Sequence, residues 1–176
     1  MRPKISEKQV LEVAGWVGAY IAEQRTSFRN QASPIGPEHQ RALELFFPLD
    51  LLRSVRVIRK RPANPPFYAQ LQAMGIQNAP SFSDMAGVTF QDLVMHVEAL
   101  SMPLLFHELV HAVQYRHLGL EGFAERYVRG FLSGGSYEAI PLEKQAYELE
   151  ARFVAGQTAP FSVDGEVENS LRMQLL

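Results

Sequence analysis

His107-Glu108-Leu109-Val110-His111 decides how this chain is read, because it sets two imidazoles four residues apart with a glutamate directly after the first. On an α-helix, residues i and i+4 share a face about one turn apart, so the two rings can grip one small cation from the same side. Imidazole nitrogen suits Zn²⁺, and the intervening glutamate can reach a water held by the cation without itself becoming a ligand. The chemistry this pattern predicts is metal-assisted hydrolysis. The motif lies within Leu104 to Val113, where three polar residues interrupt an otherwise apolar helix. Buried ionisable groups are costly unless paired or metal-bound. The competing reading is a pair of hydrogen-bonded core histidines beside a partly exposed glutamate.

Flanking residues place the motif in the middle of a helix. Ser101 can cap it, Pro103 fits its first turn, and Gly119 is positioned to end it after His117-Leu118. Upstream, Val88 and Phe90 alternate in one phase and Leu93, Met95 and Val97 in the other, which predicts β-structure over 87–97. The slip at Gln91-Asp92 requires a tight hairpin turn or a β-bulge. A second strand is expected over 54–60, where Val55 and Val57 alternate with Arg56, with a basic outer face and an edge position. Both β-segments are expected beside the motif helix.

The remaining helices announce themselves by caps and periodicity. Ser6 with Gln9 forms a capping box and Ile5 with Val10 a hydrophobic staple, so a helix starts at Glu7 and runs to about Thr26. Pro37 opens another that reaches Phe46 or Phe47, and Pro48 ends or kinks it. Pro62 through Pro66 reads as a rigid loop, Gly122 to Leu132 as a helix, Ser133 to Ser136 as a break, and Pro141 to about Ala155 as the last clear helix. Beyond Gly156 the periodicity is too weak to assign an element.

The chain as a whole, 176 residues with 47% hydrophobic and 20% charged residues, suits one α+β domain, mainly helical, over 1–176 with its metal-site core in 101–155. A formal net charge of −2 gives no electrostatic reason to expect nucleic acid or an anionic membrane as partner. The exception is the basic stretch Arg53 to Arg61, the sole ground for a DNA-associated reading. With no cysteine, a metal site must use His, Asp or Glu. No apolar run of spanning length and no signal-type core follows Met1 to Glu7, so a cytoplasmic location is expected.

A catalytic zinc site usually has three protein ligands and one open position, so a third must lie downstream. His117 would complete HExxHxxxxxH, the ligand spacing of the metzincins, but their pattern needs Gly where this chain has Gln114. On an unbroken helix, six residues turn His117 about 240° away from His111. Glu143 sits in the first turn of a later helix, with Ala146 three residues on. His107, Glu108 and His111 together with Glu143 and Ala146 resemble the gluzincin branch of the HExxH zincin metallopeptidases. Their third ligand is a glutamate in an ExxA-type motif. Where that family often has Asp after the Ala, this chain has Tyr147. Glu148 precedes Ala151 in a competing register, and Glu138 is a further option. The run from His107 to Gln114 is also similar to small bacterial zincin-like domains of unassigned substrate.

The resemblance implies a zincin-like fold and a zinc-dependent peptidase acting on a peptide or protein. His107, His111 and Glu143 would hold the Zn²⁺, and Glu108 would be the general base. A second donor to the developing oxyanion is expected from Tyr137, Tyr147, Tyr115 or His117. The alternative is a non-catalytic zincin-like domain that binds metal or recognises a partner. Glu108 argues against it, since a purely structural site needs no base.

Overall fold

In the computed structural model, residues 5–77, 79–156 and 159–176 are described. Helix α1 (Glu7–Phe28) begins where Ser6 accepts from the Gln9 amide, and the Gln9 side chain accepts in return from the Ser6 amide. The apolar positions Val10, Val13, Val17, Tyr20 and Ile21 form its buried face. Strand β1 (Ser33–Pro34) leads into α2 (Pro37–Leu43), with Pro37 at its start, and α3 (Leu49–Ser54) follows Pro48. Next come β2 (Arg56–Arg59), α4 (Tyr68–Ala73) and the hairpin of β3 (Gly87–Phe90) and β4 (Leu93–His96). The chain closes with α5 (Met102–Gly134), α6 (Pro141–Ala155) and α7 (Val163–Arg172). The fold is α+β and mainly helical, with one small sheet.

Sheet order is β1-β2-β4-β3, with β2 parallel to β4 and both outer pairs antiparallel. The phase slip at Gln91-Asp92 is a hairpin turn: Phe90 pairs with Leu93, and Gln91 takes a left-handed φ of 62°. The strand expected over 54–60 is shorter and lies inside the sheet, between β1 and β4. The edges among the described residues are β1 and β3. Its edge placement is corrected because Ser33 and Pro34 supply a neighbour too short to leave a periodic signal. Its arginines are engaged: Arg56 donates to the carbonyls of Arg53, Ser54 and Val55, capping α3, and Arg59 donates to Val97. Lys60 lies over the Phe28 ring.

Helix α5 is the axis of the molecule. Every residue from Leu105 to Tyr115 is buried, because α1, the hairpin, α6 and α7 surround this half. One apolar cluster fills the space toward α1, α4 and the hairpin, and a second lies toward α2, α3, α6 and α7. Gly119 does not end the helix as expected. With φ 69° and ψ 175° it breaks the helical path, and the helix resumes at once in a new direction to Gly134. A glycine in the left-handed region satisfies either a terminus or a redirection, so its position alone does not choose between them. Helices α3, α4 and α7 were not expected. All are short, and α7 in particular is held by Val163 and Val167 in the second cluster and by its Ser162 cap.

Candidate metal centre

The Ser101 hydroxyl accepts from the Leu104 amide and starts α5, so His107 and His111 fall one turn apart on its buried half. Pro141 starts α6 after a short 3₁₀ turn, Tyr137–Ala139, and puts Glu143 in its first turn. Leu142, Ala146 and Leu149 bury the adjoining face of α6, and with no bulk at Ala146 that face packs closely on α5. The structure thereby brings Glu143 to the two histidines. His107 Nε2 and His111 Nε2 are 3.1 Å apart, and Glu143 Oε2 is 3.4 Å from the first and 3.3 Å from the second.

Those three separations can be tested against a metal. Zinc bonds of roughly 2.0–2.2 Å at a tetrahedral angle put neighbouring donor atoms about 3.3–3.5 Å apart. The three atoms stand close to that spacing already. Glu143 Oε2 is fully buried, yet no donor reaches it with hydrogen-bond geometry. A buried carboxylate oxygen without a hydrogen-bond donor, facing two imidazole nitrogens, is a donor set that could hold a cation. The residues present fit Zn²⁺.

The other nitrogen of each ring is held. His107 Nδ1 lies 3.1 Å from Glu150 Oε2, and His111 Nδ1 lies 2.8 Å from Gln114 Oε1. The Gln114 amide nitrogen donates to the Leu142 carbonyl and to Gln145 Oε1, each at 3.0 Å. Its oxygen is therefore the end turned to His111, and as an acceptor it requires a proton on Nδ1. In the neutral ring that a metal would need, the lone pair of His111 is then on Nε2, toward Glu143. Gln145 in turn donates to Ser170 Oγ at 2.8 Å, tying the network to α7. Sequence reasoning missed Gln114 and Glu150. Gln114 stood out only as the residue replacing a glycine, and Glu150 lies one helical turn beyond the position, Tyr147, where a carboxylate was sought.

Glu108 is buried, and its Oε2 accepts a 2.7 Å hydrogen bond from Thr89 of β3. Among the described residues no donor meets its Oε1. Burial raises its pKa against the opposing pull of His111 and His107. Burial also works against a charge on His111, but Glu143 and Glu108 outweigh it and raise that pKa to about 9. For Glu143 the two histidines overcome burial and hold the carboxyl well below the usual range. A Cβ on Gly87 would lie 2.7 Å from Glu108 Oε1, so only glycine in β3 leaves the carboxylate its place.

Two spaces meet at Glu108. An outer cleft of about 460 Å³ is lined by His107, Glu108, Tyr137, Tyr147 and Glu150. An inner cavity of about 40 Å³ is lined by Glu108, His111, Glu143, Tyr115, Tyr127 and Tyr137. Of the expected oxyanion donors, Tyr137 borders both spaces. Tyr147 is half-exposed, with its ring centroid 4.5 Å from that of His107. Burial and the Glu143 carboxylate raise the pKa of Tyr115, Tyr127 and Tyr137, so all three remain O–H donors. Tyr127, from beyond the Gly119 break, was not foreseen. The structure does not bring His117, Glu148 or Glu138 to the centre. His117 Nε2 pairs with Asp164 at 3.0 Å, and Glu148 and Glu138 are exposed.

This chain matches no family model, no curated protein and no solved structure. No helix among the described residues is long and apolar enough to cross a membrane.

Proposed function

We propose that the protein is a zinc-dependent metallopeptidase, with His107, His111 and Glu143 as metal ligands and Glu108 as general base. The observation that carries the reading is the buried Glu143 Oε2, without a hydrogen bond and set at coordination spacing from two imidazole nitrogens. A bound zinc ion would acidify a water molecule and polarise the scissile carbonyl. Glu108 takes the proton of the attacking water as its oxygen bonds to the carbonyl carbon, and returns a proton to the amine as the C–N bond breaks. Thr89 holds Oε2, which leaves Oε1 free to do this. Burial raises the pKa of the Glu108 carboxyl, which makes its carboxylate a stronger base toward the water proton. Tyr137 borders both spaces at Glu108, and its O–H is the donor assigned to the developing oxyanion.

Elemental analysis and peptide-library hydrolysis, on wild type and Glu108→Gln, test the reading together. Both proteins should carry zinc, and only wild type should hydrolyse. Equal hydrolysis by Glu108→Gln would remove Glu108 from the mechanism. Zinc in both with hydrolysis in neither would leave a metal-binding or partner-recognition domain.

A further inference from the structure

The outer cleft has a chemistry of its own. Among the described residues lining it, Asp84, Glu108 and Glu150 are acidic and none is lysine or arginine. A resident divalent cation would be balanced by Glu143 and Glu108. Asp84 and Glu150 would then remain as two further carboxylates facing whatever enters. Asp84, at the end of the 3₁₀ turn Phe82–Asp84, is exposed and has no ion-pair partner among the described residues. Arg61 donates to the neighbouring Ser83 carbonyl but does not line the cleft. Glu150 reaches the cleft from α6, with one of its oxygens 3.1 Å from His107 Nδ1. Tyr147 adds a half-exposed aromatic ring between the His107 side of the site and solvent. The buried Glu108 also lines the cleft, its Oε2 held by Thr89. Two carboxylates from separate elements, an aromatic ring and a cleft that opens on His107 suit a long cationic side chain. Its methylene stem can lie on the ring while its head meets the acids.

We propose that this cleft selects peptides carrying a lysine or arginine beside the bond presented to the His107–His111–Glu143 centre, with Asp84 and Glu150 as the recognising carboxylates. The proposal rests on the peptidase reading of that centre and specifies its substrate class. Asp84 is the specificity-determining residue that can be changed without touching a ligand or its hydrogen-bond partner.

The test uses zinc-loaded Glu108→Gln protein and fluorescein-labelled peptides that differ at one scanned position, Arg, Lys, Ala or Glu, read by fluorescence anisotropy. Arg and Lys peptides should bind about 5–10-fold more tightly than the Ala peptide, the Glu peptide most weakly, and the preference should shrink as salt rises. Asp84→Lys should remove most of the preference at unchanged zinc content. Equal affinities across the set, absence of binding by any peptide, or a preference that survives Asp84→Lys overturns the proposal. Hydrolysis of the same peptides by wild type keeps the two readings apart. Cleavage indifferent to charge sinks the selectivity alone, whereas charge-selective binding without cleavage sinks the peptidase reading alone.

Discussion

Replacing Gln114 by leucine isolates the contribution of one fully buried amide to the proposed metal centre. The side chain has no exposure and makes three hydrogen bonds, at 2.8, 3.0 and 3.0 Å. Leucine keeps much of the volume and makes none of them. The His111 Nδ1–H and Gln145 Oε1 are then stranded in the core, at about 1–3 kcal/mol each. The Leu142 carbonyl lies within α6, where a helical amide can still serve it, so it adds little. After the gain from burying an apolar side chain, the net destabilisation should be about 2–5 kcal/mol. For a domain of this size, that lowers the melting temperature by roughly 2–4 °C per kcal/mol. The tautomer of His111 is also released, which should weaken zinc about 10–100-fold. Urea denaturation of the metal-free protein reads the first quantity, and competition with a chromophoric chelator the second. Metal-free stability within 1 kcal/mol of wild type, together with zinc affinity unchanged within about twofold, would refute the argument that this amide sets the histidine.

Gly87→Ala should push the Glu108 carboxylate from its seat on Thr89, lowering hydrolysis at least about tenfold at unchanged zinc content; full activity would show that the close approach is not needed. Glu150→Ala should weaken zinc about 10–100-fold by freeing the His107 ring, and Glu150→Gln less, measured by the same chelator competition. Removing metal with a chelator should lower the thermal midpoint, by about 2.7 kcal/mol of lost stabilisation where zinc had stood at 100 times its dissociation constant, and His111→Ala should abolish that response. Asp92, in the hairpin turn, meets Arg25 at 2.5 Å and Arg29 at 2.8 Å; burial opposes its charge, but the two arginines prevail and lower its pKa. A depressed carboxyl pKa contributes stability that is present above the ordinary Asp range and is lost as pH falls through the folded value. Asp92→Asn should therefore cost about 1–3 kcal/mol at neutral pH and flatten the acid limb of the stability profile, as followed by denaturation from pH 7 to pH 2.

What could be read from the chain was what is encoded locally. The Ser6–Gln9 box, the Ser101 cap and the His107–His111 pair each depend on residues within about one helical turn, so spacing alone exposes them. Glu143 was legible by resemblance and by its place in a first turn, whereas its partnership with the histidines depends on how α6 packs on α5. Gln114 and Glu150 look like ordinary polar helix residues until that packing brings their partners, 31 and 43 positions away, into contact. The hairpin was visible in its alternation. The interior place of the 54–60 strand was not, because β1, which takes that edge, is only two residues long. Tyr127 escaped notice for the reason Gly119 was misread: a helix taken to end there sends everything beyond it elsewhere.

The run of amides from His111 through Gln114 and Gln145 to Ser170 crosses three helices. The smallest fragment able to present this centre is therefore not the segment that contains its ligands. A fragment ending at Ala155 would keep every donor atom and lose the hydroxyl on α7 that anchors Gln145. The hydrogen-bonded unit behind the proposed ligands extends to Ser170, and a shortened or transplanted version of the site that omits α7 leaves Gln145 without that anchor.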